Sequence, residues 1–250
     1  MSDLWKRHIR KITLVDRIRE AIEVYRWAHL RYLEDKYLDD RKNYWETLHG
    51  YYHDLRAVGP SQQEEVNQKV YAQSRATISE FLDRNGFDLA GKKVLEIGIG
   101  AGFFTRLLAE KKPKILHGMD ISQTAVQKVD NVLKQMNGIN YKLWCADAVQ
   151  GIPTQEKYDY IVMLDVTQHI TNRSQLLSAL KNIQNSLEPK GVYILTSYLT
   201  QPNGQTHEAF HVRYWPLNVY KEIFSDMGWR YTIYEKPFDM KELFAIAPKN

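Results

Sequence analysis

Four carboxylates end short apolar runs along this chain: Glu96 in VLEIGIGAG, Asp120 in GMDIS, Asp147 in CADA and Asp165 in MLDVTQHI. Gly98, Gly100 and Gly102 occupy alternate positions just after the first. A glycine turn lets backbone N–H groups approach a ligand closely, and carboxylates at strand ends accept hydrogen bonds from hydroxyl and amino groups. Together they indicate a site that holds a nucleotide-like cofactor.

The spacing narrows which one. The dinucleotide fingerprint G-x-G-x-x-G requires a third glycine where this chain has Phe103. The phosphate loop G-x-x-x-x-G-K-[ST] fails as well, because no Lys-Ser or Lys-Thr follows the glycines. Glu96 would repel a pyrophosphate and suits a cationic or amino-bearing ligand. Asp120 is placed to accept both hydroxyls of a ribose, and Asp147 with Ala148 to reach an adenine amino group.

The elements that position these residues follow from hydrophobic periodicity. Up to about residue 85 the pattern is helical, with Leu14, Ile18, Ile22, Tyr25, Ala28 and Tyr32 on one face. Further helices are expected over 37–56 and 62–85, separated by VGPS and closed by Asn85-Gly86. From residue 92 strands and helices alternate: KKVLEIG, ILHGMDIS, INYKLWCAD, YDYIVMLDV and GVYILTSYL read as strands. The intervening helices are FFTRLLAEKK, 123–136, 174–187 stopped by EPKG, and 217–227 ended by Gly228. WRYTIYEK and ELFAIAP lie too close for a crossover and should form a hairpin. This order predicts an α/β fold of seven strands, mostly parallel, with an antiparallel last strand. The expected division is a helical extension over 1–85 and a catalytic domain over 86–250. The irregular stretch 200–216 should lie beside the ligand crevice.

The set of motifs resembles the class I S-adenosylmethionine-dependent methyltransferases, whose fold is Rossmann-like, from about residue 90 to 247. The resemblance rests on VLEIGIGAG, GMDIS, CADA and VMLDVTQHI in that order. It implies S-adenosyl-L-methionine as cofactor. By it, Glu96, Gly98, Gly100 and Gly102 lie near the methionine part, Asp120 with Ile121 at the ribose, and Asp147, Ala148 and Leu164 at the adenine side. Tyr71 and Arg75, on the helix before the first strand, are candidates for the cofactor's carboxylate.

Methyl transfer from a sulfonium asks mainly for alignment and removal of a proton from the acceptor. His169 lies where the methyl should project and is the candidate base, with a purely structural role as the alternative. Asp165 would orient an acceptor or shape the wall. His207, His211, Arg213 and Tyr214 are candidate acceptor contacts. The end of the fifth strand offers Thr196, Ser197 and Tyr198 instead of an acid and amide pair, so no metal is expected. The N-terminal helices should cover the acceptor pocket, with Trp45 and neighbouring tyrosines as lining, or build a homodimer interface.

Composition sets the outer bounds. The net charge of +4 comes from interleaved signs with no dense basic run, which disfavours a nucleic-acid partner. One cysteine, Cys145, excludes an intramolecular disulfide framework. No stretch approaches the roughly 20 apolar residues of a membrane span, and the charged start MSDLWKRHIRK is unlike a signal peptide, so a cytoplasmic location is expected. The expected activity is O-methylation of a small molecule such as a sugar, sugar nucleotide or secondary metabolite. The alternatives are N-methylation of an amino sugar, amino acid or protein amino terminus, and a non-catalytic partner subunit.

Overall fold

The computed structural model describes residue 18 and residues 40–198, 208–209, 212–234 and 241–248. Seven strands form one sheet: β1 Lys93–Ile97, β2 Ile115–Asp120, β3 Tyr141–Cys145, β4 Tyr158–Met163, β5 Leu187–Tyr198, β6 Trp229–Ile233 and β7 Lys241–Pro248. Their spatial order is β3-β2-β1-β4-β5-β7-β6. β7 runs opposite to the other six, inserted between β5 and β6 and antiparallel to both. The helices are α1 Arg41–Tyr51, α2 Glu64–Arg84, α3 Phe103–Glu110, α4 Gln123–Leu133, α5 Arg173–Ser186 and α6 Leu217–Asp226.

Alternate residues of each central strand serve opposite faces, and each face is covered by helices. Val94 and Val162 pack under α2, α3 and α4, while Leu95 and Ile161 pack under α5 and α6. Ile78, Phe81 and Leu82 of α2 share the first of these cores with the sheet, so packing runs continuously across residue 85. Local chemistry sets the helix starts. Asp40, Ser122 and Asn172 each accept a backbone N–H of the first turn of α1, α4 and α5.

Three stretches depart from the periodic reading. The helix expected over 37–56 is shorter, ending at Tyr51, with a 3-10 turn at Leu55–Ala57. EPKG is not a turn between helix and strand: β5 begins at Leu187, directly after α5. Tyr158 pairs with Leu187 but Tyr160 with Val192, so the extra residues are absorbed as a bulge. A Cβ on Gly191 would stand 2.8 Å from the Tyr158 carbonyl oxygen, which is why glycine occupies that bulge. Finally, the stretch 200–216 holds a two-stranded antiparallel ribbon, Glu208–Ala209 with Val212–Arg213.

The N-terminal stripe from Leu14 to Tyr32 lies outside the described residues except for Ile18, which is helical and exposed. Among the described residues no helix is long and apolar enough to cross a membrane.

Candidate active site

The carboxyl ends of β1, β2, β3 and β4 open onto one cavity, with about 940 Å³ of empty space counted out to its mouth. Ile97 ends β1 and Gly98–Ala101 follow it, Asp120 ends β2 with Ile121 after it, Ala146–Ala148 follow β3, and Leu164–Val166 with His169 and Ile170 follow β4. A fifth wall comes from the N-terminal part of the chain: Arg41, Trp45 and His49 of α1, then Val58 and Tyr71.

Backbone geometry shapes the floor. Gly98 has φ +78°, and a Cβ there would lie 2.3 Å from Val166 Cγ2, so both its conformation and its packing require glycine. Gly100 N–H donates to Asp120 Oδ2 at 2.9 Å, and Ser122 N–H donates to Oδ1 at 2.9 Å. The Asp120 carboxylate is thereby fixed at the cavity wall with acceptor capacity left over. Burial raises its pKa, and the backbone bonds from Ser122 and Gly100 oppose that rise.

On the β3 side, Asp147 Oδ1 accepts Val149 N–H at 2.9 Å while Oδ2 receives Arg41 Nη2 at 3.1 Å. At the β4 end Asp165 adopts φ +59°, left-handed backbone that few non-glycine residues take. Thr196 holds it there: its Oγ1 accepts Asp165 N–H at 2.8 Å and donates to Oδ1 at 2.9 Å. Behind, Ser197 donates to the Tyr220 hydroxyl at 2.6 Å, which donates to Thr167 Oγ1 at 3.0 Å. This buried network fixes the 3-10 turn Thr167–His169, whose last residue faces the cavity. The His169 ring meets Trp45 edge-on at 4.7 Å between centroids.

The roof is held by reciprocal caps. Glu46 of α1 accepts Ser122 Oγ–H at 2.7 Å and Thr124 N–H at 3.1 Å, and the Thr124 hydroxyl also donates to it. Burial opposes the charge on Glu46, yet these bonds bring its carboxyl below the usual range. In return Lys128 of α4 donates to the carbonyls of His49 and Tyr52 at the end of α1. Each helix thus satisfies the open terminus of the other.

The expected site residues divide by placement. Tyr71, Gly98, Gly100, Asp120, Ile121, Asp147, Ala148, Leu164, Asp165 and His169 all line the cavity. Tyr71 also donates its hydroxyl to the Val58 carbonyl at 3.2 Å. Glu96 lies behind the lining, buried in β1 and pushed by burial up to about 8, so it presents no charge to the cavity at neutral pH. Gly102 starts α3 in left-handed backbone, outside the lining. Arg75 also stands apart, its guanidinium paired with Glu110. Arg213 donates to the Thr171 carbonyl at 3.2 Å and stacks over Trp215 at 4.4 Å, outside the lining, as is the half-buried Tyr214. His207 and His211 lie outside the described residues. Among the described residues, no cluster of histidine, cysteine, aspartate and glutamate could hold a metal ion.

Arg41 and His49 were not among the motif residues. The signal for them is the spacing 41, 45, 49, which puts Arg41, Trp45 and His49 on one face of α1.

Comparison with known proteins agrees with this architecture. A family model described as a methyltransferase domain matches residues 67–232. Phosphoethanolamine N-methyltransferase 2 of Caenorhabditis elegans is 27% identical over 119 residues, which are 48% of this chain and 26% of that protein. The ubiquinone biosynthesis O-methyltransferase of Neisseria meningitidis serogroup C is 20% identical over 123 residues, 48% of this chain and 50% of that protein. The matched segments thus span half or less of these curated relatives. The crystal structure of magnesium protoporphyrin IX methyltransferase from Synechocystis with bound SAH shares the fold with a TM-score of 0.64 at 18% identity. That match covers 83% of this chain and 98% of the other.

Proposed function

Because the chain belongs to the methyltransferase-domain family, we propose that it moves a methyl group from S-adenosyl-L-methionine to a hydroxyl oxygen of a small cytoplasmic molecule. The carrying observation is that one partly covered cavity gathers Gly98, Gly100, Asp120, Asp147 and His169 at four strand ends. The residues present fit this cofactor. The Gly98 and Gly100 backbone admits a close ligand, Asp120 keeps lone pairs for the ribose hydroxyls, and Asp147 lines the cavity at the end of β3, where the adenine amino group would sit. When bound, the cofactor supplies an electrophilic sulfonium methyl. The chain supplies alignment, and the His169 imidazole accepts the proton of the acceptor hydroxyl. The cover that α1 gives one side of the cavity favours a small acceptor over a nucleic acid or a membrane surface.

A second reading, transfer to an amine, is favoured by Asp165. Its carboxylate lines the same cavity, held by Thr196, and would orient a protonated amine before deprotonation. A homodimer formed through the segment before α1 is compatible with either reading.

Calorimetric titration with S-adenosylhomocysteine and with NAD, followed by a mass screen of metabolite pools for one added methyl, tests the proposal. Binding of S-adenosylhomocysteine and methylation of a hydroxyl metabolite are expected. Tight NAD binding with no S-adenosylhomocysteine binding would overturn it.

A further inference from the structure

His49 is only 2% exposed and lines the cavity, and its Nδ1, itself buried, has no hydrogen-bond partner. Nothing in the strand-end motifs uses it. A buried polar atom left unpaired is a net cost to the fold, and a polar ring kept at a cavity wall at that cost is a candidate for contact with a ligand.

Its position in the fold says which part of a ligand it meets. Glu46, one turn earlier on α1, is seated on Ser122 and Thr124, immediately after Asp120. Lys128, from the helix that follows Asp120, holds the His49 carbonyl. α1 is therefore clamped beside the start of α4, and His49 lines the same cavity as Asp120, whose carboxylate keeps acceptor capacity beyond its backbone bonds. A ribose hydroxyl that donates to Asp120 still has lone pairs to offer, and a neutral imidazole has one N–H and one acceptor nitrogen to exchange with it.

We propose that His49 is a cofactor-contacting residue: its imidazole hydrogen-bonds the ribose hydroxyls held by Asp120, making α1 part of the cofactor site. This inference rests on the methyltransferase reading above. The charges facing the ring agree with it. Burial, helped by Lys128 and opposed by Glu46, lowers the His49 pKa to about 4. The imidazole is thus neutral throughout the physiological range and does not repel a sulfonium cation. Arg41, on the same helix face, is paired with Asp147, and Lys128 points to carbonyl oxygens.

The test uses the full chain and three probes: S-adenosylhomocysteine and its 2′-deoxy and 3′-deoxy forms, titrated calorimetrically into wild type, His49→Phe and His49→Gln. His49→Phe should bind S-adenosylhomocysteine about 5- to 10-fold more weakly, the loss of one hydrogen bond. Its melting temperature without ligand should be unchanged or higher, because an apolar ring replaces an unpaired polar one. The penalty for removing one ribose hydroxyl should shrink in His49→Phe by about the factor lost with the parent ligand, and His49→Gln should recover part of it. Affinity within about twofold of wild type, or an undiminished penalty at both hydroxyls, overturns the proposal. So does a fall in melting temperature and affinity together, which marks a purely structural role. If His49→Phe fails to fold, the hydroxyl penalties of His49→Gln decide. Wild type that does not bind S-adenosylhomocysteine at all overturns the methyltransferase reading itself. Binding by wild type with an insensitive His49→Phe overturns only the role of His49.

Discussion

The guanidinium of Arg41 lies 3.1 Å from the carboxylate of Asp147, so α1 is tied directly to the acid that follows β3. Both side chains are about one-quarter exposed, a setting in which an ion pair contributes modestly to stability. Its consequence should be kinetic. The roof over the cavity cannot lift at that end without breaking the pair. Arg41→Met keeps the apolar stem and removes the charge. Release of S-adenosylhomocysteine, followed by stopped-flow tryptophan fluorescence, should quicken about 2- to 5-fold. An unchanged release rate would mean that α1 does not gate the cavity.

Asp120 is held by backbone N–H groups from two loops, Gly100 of the glycine turn after β1 and Ser122 after β2. Asp120→Ala leaves both donors without their partner and removes the acceptors for a ribose. Calorimetry should show S-adenosylhomocysteine affinity reduced roughly 10- to 100-fold, as for loss of hydrogen bonds to a charged group. Full affinity would place the ribose elsewhere.

Glu96 provides the pH dependence. Burial raises its carboxyl from the ordinary 4.5 to about 8 in the folded protein. The native state therefore holds the proton more tightly than the unfolded chain. The stabilisation is complete below pH 4.5 and is lost as pH rises through 8. At about 1.4 kcal/mol per unit, that interval bounds the loss at about 5 kcal/mol. Glu96→Gln should flatten the alkaline limb of a denaturation-midpoint profile between pH 6 and 9, measured against wild type. Parallel profiles for the two proteins would show that Glu96 does not titrate in this way.

His169 separates binding from chemistry. It faces the cavity on a turn braced by Thr167, Ser197 and Tyr220, so its replacement should leave the cofactor wall in place. His169→Ala should keep S-adenosylhomocysteine affinity and lower turnover on the identified acceptor by about 10²- to 10⁴-fold, the usual worth of a general base. Turnover equal to wild type would leave His169 a structural residue that packs against Trp45.

The alternation of strands and helices, the glycine turn and the acids at strand ends are legible in the chain because each is a local matter. Period-two burial, backbone that only glycine adopts, and capping at Ser122 depend on neighbours a few residues away. Parallel strands of that kind must present their carboxyl ends at one edge, which brings Asp120, Asp147 and Asp165 to one cavity without further information. The placement of Glu96 and Arg75 was decided by tertiary packing. One is buried in β1 behind the lining, and the other is drawn off to Glu110. The same holds for EPKG, whose turn composition was overridden when pairing with β4 continued through it as a bulge. Above all, the docking of α1 is a tertiary fact. Glu46 and Lys128 lie 82 positions apart in the chain, and only the approach of two helix termini makes them reciprocal caps. Sequence alone therefore determined the sheet and the strand-end acids; the long-range closure of α1 over them decided that Arg41, Trp45 and His49 belong to the same site.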